Sequence, residues 1–165
     1  MAGSPKKQLA LDTNLPLDLA ESRDFAHEFR EEFQQRGYAL LLPPTVLAEL
    51  EYLILFGKKT NRHLAEAASS QIEAWRLMPF DLPEVHHAIA ERFARRLQER
   101  RLIPEEEFHD GLILAETSLA RIPMLVTSDK HLLDIDGDML SLAFNEADLF
   151  PVHPVHPKRL VHALH

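Results

Sequence analysis

The chain has no cysteine among its 165 residues. That excludes a disulfide framework and any thiolate-ligated zinc or iron–sulfur centre, and it fits a reducing, cytoplasmic location. Also missing is any apolar run approaching the roughly 20 residues of a membrane span. The first eight residues, MAGSPKKQ, have no apolar stretch after their lysines, so neither an export signal nor a transmembrane helix is expected. No Pro-rich or Gly/Ser-rich linker interrupts the interior and no segment repeats, which implies one domain over residues 1–165, with 1–7 as a flexible arm. Basic charge is scarce, because 18 Lys and Arg stand against 26 Asp and Glu, a formal net charge of −8. The chain therefore lacks the surface of a protein that coats nucleic acid nonspecifically, although an acidic metal site beside a local basic helix is compatible with a nucleic-acid enzyme.

What is present is apolar and periodic. Hydrophobic residues make up 45% of the composition, and their clustering into runs argues for a packed core and against disorder. Residues 8–11 read as a short buried strand ending at Asp12, Thr13 and Asn14, all turn and cap formers. A helix is predicted over 22–36, with Phe25, Phe29 and Phe33 on one stripe, and a second buried strand over 38–42, closed by Pro43 and Pro44. The next helix, 45–56, is apolar nearly all round except for Glu49 and Glu51. That leaves a second buried contact, with a neighbouring helix or with the other subunit of a homodimer. Helix is expected again over 61–77, then a connector over 79–83 with room for a short extended piece. Residues 84–101 form an amphipathic helix with Val85, Ile89, Phe93 and Leu97 on one side and Arg92, Arg96 and Arg100 on the other.

The stretch from Phe108 to Asp129 organises the rest. Its helical part, 110–121, is about 17 Å long, and a strand of about five residues returns over the same distance. In a parallel α/β sheet with right-handed crossovers, the helix start and the strand end then share one edge, the edge where such sheets bind ligands. Asp12, Glu49, Asp110 and Asp129 all fall there. Carboxylates about 4 Å apart repel by up to about 4 kcal/mol per pair at an effective dielectric of 20, so the cluster calls for cations or protons. Oxygen-only ligation suits Mg2+ or Mn2+. Taken singly, Asp12 reads as a strand-end cap and Asp129 as a turn residue; together those readings lose. Glu105, Glu106 and Glu107 read as first-turn dipole chemistry, and Asp134, Asp136 and Asp138 as a solvated loop, with a short helical piece over 130–135 before it. His109 adjoins Asp110, but its side chain is expected about 100° away around the helix. The arginine face divides between solvation and phosphate binding.

These residues resemble the motifs of the PIN-domain ribonucleases, many of them toxins of bacterial toxin–antitoxin pairs. Leu11, Asp12, Thr13 and Asn14 match the first motif, and Leu47 to Leu50 the second. Asp110 to Ala115 match the third, and Val126 to Asp129 the fourth. The resemblance implies a three-layer α/β/α fold around a central parallel sheet. It also implies metal-dependent endonucleolytic hydrolysis of RNA by metal-activated water, with Asp12, Glu49, Asp110 and Asp129 as ligands of Mg2+ or Mn2+ and Asn14 and Thr127 as supporting polar positions. The implied partners are RNA and a small antitoxin protein. A non-catalytic PIN-like module that binds RNA or protein is the alternative, and a receiver phosphorylated on Asp12 beside Lys130 leaves Glu49 and Asp110 without a role. Residues 151–165 are expected to close the chain with an extended segment and a short helix.

Overall fold

The computed structural model describes residues 7–165. The arm expected over 1–7 thus falls outside the described residues, except for Lys7, whose carbonyl accepts the Ala39 N–H at 2.8 Å. Five short strands, β1 (Gln8–Leu11), β2 (Ala39–Leu42), β3 (Leu77–Pro79), β4 (Met124–Val126) and β5 (His153–Val155), form one sheet in the order β3-β2-β1-β4-β5. Every pairing is parallel. Parallel strands cannot be joined by tight turns, so helices cover both faces and the fold is a three-layer α/β/α sandwich.

Among the described residues the helices are α1 (Asn14–Ala20), α2 (Asp24–Gln35), α3 (Pro44–Phe56), α4 (Lys59–Gln71), α5 (Glu84–Glu99), α6 (Phe108–Leu119), α7 (Lys130–Leu133), α8 (Gly137–Glu146) and α9 (Pro157–Ala163). The aromatic stripe of α2 faces the core, with Phe29 and Phe33 buried and their rings 5.1 Å apart, and Phe25 only partly buried. Helices α5 and α6 pack so closely that a Cβ on Gly111 would lie 2.8 Å from the Cβ of Ala94. The fully buried centre is built from Leu11, Leu40, Leu42, Ile113, Leu114 and Leu125, where β1, β2 and β4 meet α6.

Three expectations change. The helix expected over 61–77 stops at Gln71, and Leu77 belongs to β3 instead. The chain turns at Arg76, which takes the left-handed conformation at φ 55°. Pro79, which has no N–H to give a ladder, is tolerated because β3 is the edge of the sheet, paired only with β2. Two helices had no sequence expectation. Helix α1 is only two turns long, with Pro16 inside it, and α8 begins within the Asp-rich stretch read as a solvated loop. There Asp136 accepts the Met139 N–H at 3.0 Å, an N-cap that starts α8.

Candidate functional site

Strand order reverses between β1 and β4, because β2 and β3 extend the sheet to one side and β5 to the other. The residues that follow β1 and β4 line the crevice this opens. Asp12 is still held by the sheet, its N–H donating to the Val126 carbonyl at 2.9 Å. Its Oδ2 accepts the Thr127 hydroxyl at 2.7 Å and its Oδ1 the Thr13 N–H at 2.8 Å. The same Thr127 oxygen accepts the Asp129 N–H at 2.9 Å, so one side chain fixes Asp12 and the backbone of Asp129 together. Thr13 works in the same way on the other flank, where its hydroxyl donates to Glu49 Oε1 at 2.8 Å and sets the carboxylate carried in by α3.

Asp110 stands in the first turn of α6. Its carboxylate shares a small volume with Asp129 and with Glu107, one oxygen of each lying within 4.8 Å of the others. Glu107 arrives through the short 3-10 turn Glu105–Glu107, which runs straight into α6. The three glutamates are therefore not equivalent: Glu105 and Glu106 are exposed, whereas Glu107 is partly buried and faces the acids. Sequence reasoning missed this role, and the signal was there, since Glu107 lies three residues before Asp110 and on the same face of a continuous helical path. Thr13 was also passed over, while Asn14 is the first residue of α1.

The cluster holds more negative charge than it can carry alone. Burial, against the hydrogen bonds from Thr127 and Thr13 and with the charges of Glu49 and Asp129 adding to it, pushes the Asp12 carboxyl up to about 7. Asp110 goes to about 9, first through burial and then through Asp12, Asp129, Glu107 and Glu49. Burial raises Glu49 as well. The Oδ2 atom of Asp110 is buried and, among the described residues, has no hydrogen-bond partner. An orphaned acceptor facing several carboxylates fits a divalent cation bound by oxygen ligands, because a cation is the partner that relieves both the repulsion and the desolvation. His109 is exposed, and its Nδ1 lies 3.9 Å from Glu49 Oε2, nearer the acids than its helical angle alone implied.

The basic face of α5 is not uniform. Arg100 is paired with Glu146 at the end of α8. Arg92 and Arg96 line a cavity of about 420 Å³ together with Ile89, Phe93, Glu146 and Leu149, and neither is in a salt bridge with a described residue. Two further histidines have local partners: His87 lies 2.9 Å from Asp81, and His156 Nδ1 accepts the Lys158 N–H at 3.1 Å as the cap of α9.

Among curated proteins none matches the chain by sequence. Solved structures do match in fold. One is VapBC2 from Rickettsia felis bound to a DNA fragment from their promoter, at a TM-score of 0.58 and 18% identity, covering 89% of this chain and 98% of that one. Another is FitAB bound to the IR36 DNA fragment, at a TM-score of 0.51 and 20% identity, covering 91% and 95%. A third is FitAcB from Neisseria gonorrhoeae, at a TM-score of 0.51 and 18% identity, covering 90% and 97%. The family model of the PIN domain matches residues 9–138, from the first strand to the start of α8 and across all of the acidic positions above. By that match over most of its length, the chain belongs to the PIN domain family.

Proposed function

We propose that the protein is a divalent-metal-dependent endoribonuclease in which Asp12, Glu49, Asp110 and Asp129 hold Mg2+ or Mn2+, with Glu107 as a further acid at the same centre. The observation that carries this reading is the buried Asp110 carboxylate, whose Oδ2 has no hydrogen-bond partner among the described residues and which shares a volume with Asp129 and Glu107, with Asp12 and Glu49 close enough to add their charge. A bound divalent ion would supply a lowered water pKa and an offset for charge developing on a phosphate. The chain's own contribution is positional. Thr127 and Thr13 hold Asp12, Asp129 and Glu49 at one edge, and burial keeps bulk water from solvating the acids separately. No serine, cysteine or histidine nucleophile is required.

RNA is the proposed substrate, with Arg92 and Arg96 as phosphate contacts on α5. Arg100 is set aside because Glu146 already engages it. The toxin role is part of the same proposal. It draws on the likeness in fold to proteins solved as the VapBC2 and FitAB complexes, and the partner would be an antitoxin that covers the acidic edge. Among the described residues no helix is long and apolar enough to cross a membrane.

The test is cleavage of a single-stranded RNA by the purified chain in Mg2+ or Mn2+, against EDTA and against Asp12→Asn. Cleavage that needs the metal and is lost in the variant is expected. Undiminished cleavage in EDTA would remove the mechanism. Arg92→Ala with Arg96→Ala is expected to weaken RNA binding and flatten its salt dependence while leaving Mn2+ affinity alone.

A further inference from the structure

Helix α3 brings Glu49 to the site, yet no side chain of its N-cap residue caps it. Its N-cap residue is Pro43, which has no capping side chain, and its first residue is Pro44, which has no N–H. The next donor, the Thr45 N–H, is met from 71 positions away in sequence, by Glu116 Oε1 at 3.0 Å. The Thr45 hydroxyl donates to the other oxygen of the same carboxylate, Oε2, at 2.6 Å. Glu116 is 2% exposed and Thr45 7%, so this is a buried carboxylate clasping the start of a helix with both oxygens. It lies on α6, the helix of Asp110.

A buried acid is an expensive way to pack two helices. Burial raises its pKa, and the hydrogen bonds from Thr45 work against that rise. What the arrangement offers beyond packing is direction. Two fixed hydrogen bonds specify both where α3 starts and how it is turned about its axis, and the positive end of the helix favours a negative partner there. Thr45 and Glu49 are one turn apart on α3, about 6 Å along its axis, and Asp110 and Glu116 are about 9 Å apart along α6. The clasp and the acidic centre are therefore a short, rigid distance from each other on the same two helices.

We infer that Glu116 is a positioning residue for the metal centre: through Thr45 it locks α3 to α6 and so sets the placement of Glu49 relative to Asp110. This rests on the metal-centre reading above. Outer partners that orient ligands change metal affinity by about 10- to 100-fold when removed. Glu116 would act in that manner, but on a whole helix.

The experiment measures Mn2+ affinity by EPR titration of the full chain, with thermal melts in EDTA alongside. Glu116→Leu removes both acceptors and is expected to weaken Mn2+ binding by about tenfold or more. Glu116→Gln keeps an oxygen for the Thr45 N–H and an amide that can donate to the hydroxyl, so it is expected to restore affinity to within about threefold of wild type, inside the range that loss of an outer partner exceeds. Thr45→Val, which loses only the hydroxyl donor, is expected to fall between them and keeps the test decisive if Glu116→Leu does not fold. A lowered melting temperature with unchanged Mn2+ affinity in Glu116→Leu or Thr45→Val would overturn the inference and leave Glu116 as a cap. Failure of the wild-type chain to bind Mn2+ would instead overturn the metal centre itself, and this inference with it.

Discussion

Asp129 shows how one side chain can hold a structural and a chemical position together. Its Oδ1 accepts the His131 N–H at 2.9 Å and starts α7, while a carboxylate oxygen also belongs to the group with Asp110 and Glu107. The cap and ligand readings, which exclude each other on sequence, are thus both available. Asp129→Asn keeps the capping oxygen and removes a negative charge from a crowded cluster. In EDTA this variant is expected to melt at or slightly above the wild-type temperature, and its Mn2+-induced rise should shrink. Asp129→Ala loses the cap too and should cost on the order of 1 kcal/mol without metal. Thermal melts of the pair separate the roles, and an undiminished Mn2+ shift in Asp129→Asn would remove Asp129 from the ligand set. Glu107 gives the converse case, an acid that sequence reasoning assigned to the helix dipole. Glu107→Gln is expected to weaken Mn2+ binding measurably while leaving α6 intact by circular dichroism; Glu105→Gln, at an exposed position, should do neither.

At the scale of elements, the contact between α5 and α6 makes its own demand. Gly111 is costly in a helix interior by roughly 1 kcal/mol relative to alanine, so on propensity alone Gly111→Ala should stabilise α6. The structure reverses the sign. A Cβ there would meet the Ala94 Cβ at 2.8 Å and its Cα at 2.9 Å, and the latter is backbone that cannot swing aside. Gly111→Ala is therefore expected to destabilise the chain by about 1–3 kcal/mol, the usual cost of overpacking, read as a lower denaturant midpoint. Ala94→Gly should recover part of that loss in the double variant. Elements also mark the limits of what could be read beforehand. Helices with a long apolar stripe, such as α2 and α5, and the strands bounded by prolines or turn formers were legible because pattern and punctuation agree. Helix α1 was not, since seven residues with Pro16 among them give too few turns for a period. Strand β3 was hidden because Leu77 continues the apolar spacing of α4, and only the short turn over 72–76, left-handed at Arg76, separates them. The acids were legible as ends of strands and starts of helices, whereas the Thr45–Glu116 clasp depends on how α3 crosses α6, which no local pattern encodes.

The whole molecule carries a formal charge of −8, and its most crowded acids lie at one edge of the sheet, so stability and metal binding should respond to pH as a single linked system. Asp12 moves from 3.8 to about 7 and Asp110 from 3.8 to about 9 on folding without metal. Each folded value lies above its unfolded one, so the native state binds more protons between the two. The stability each group contributes is full below its unfolded value and is lost as pH rises through its folded one. Metal-free protein should accordingly lose stability from about pH 4 to about pH 9, with both groups contributing up to about pH 7 and Asp110 alone above it. A divalent cation competes for the same oxygens, so Mg2+ binding should release protons, and the Mg2+-induced rise in melting temperature should grow over the same window. General repulsion among the other acids would also weaken the fold as pH rises, and Asp110→Asn separates the two effects. It removes the late-titrating group while shifting the net charge by only one, so its melts in EDTA should be flatter toward pH 9 than those of the wild type. Equal slopes in wild type and Asp110→Asn, together with a Mg2+ shift that does not change with pH, would mean that the acids at this edge are not coupled through a shared cation.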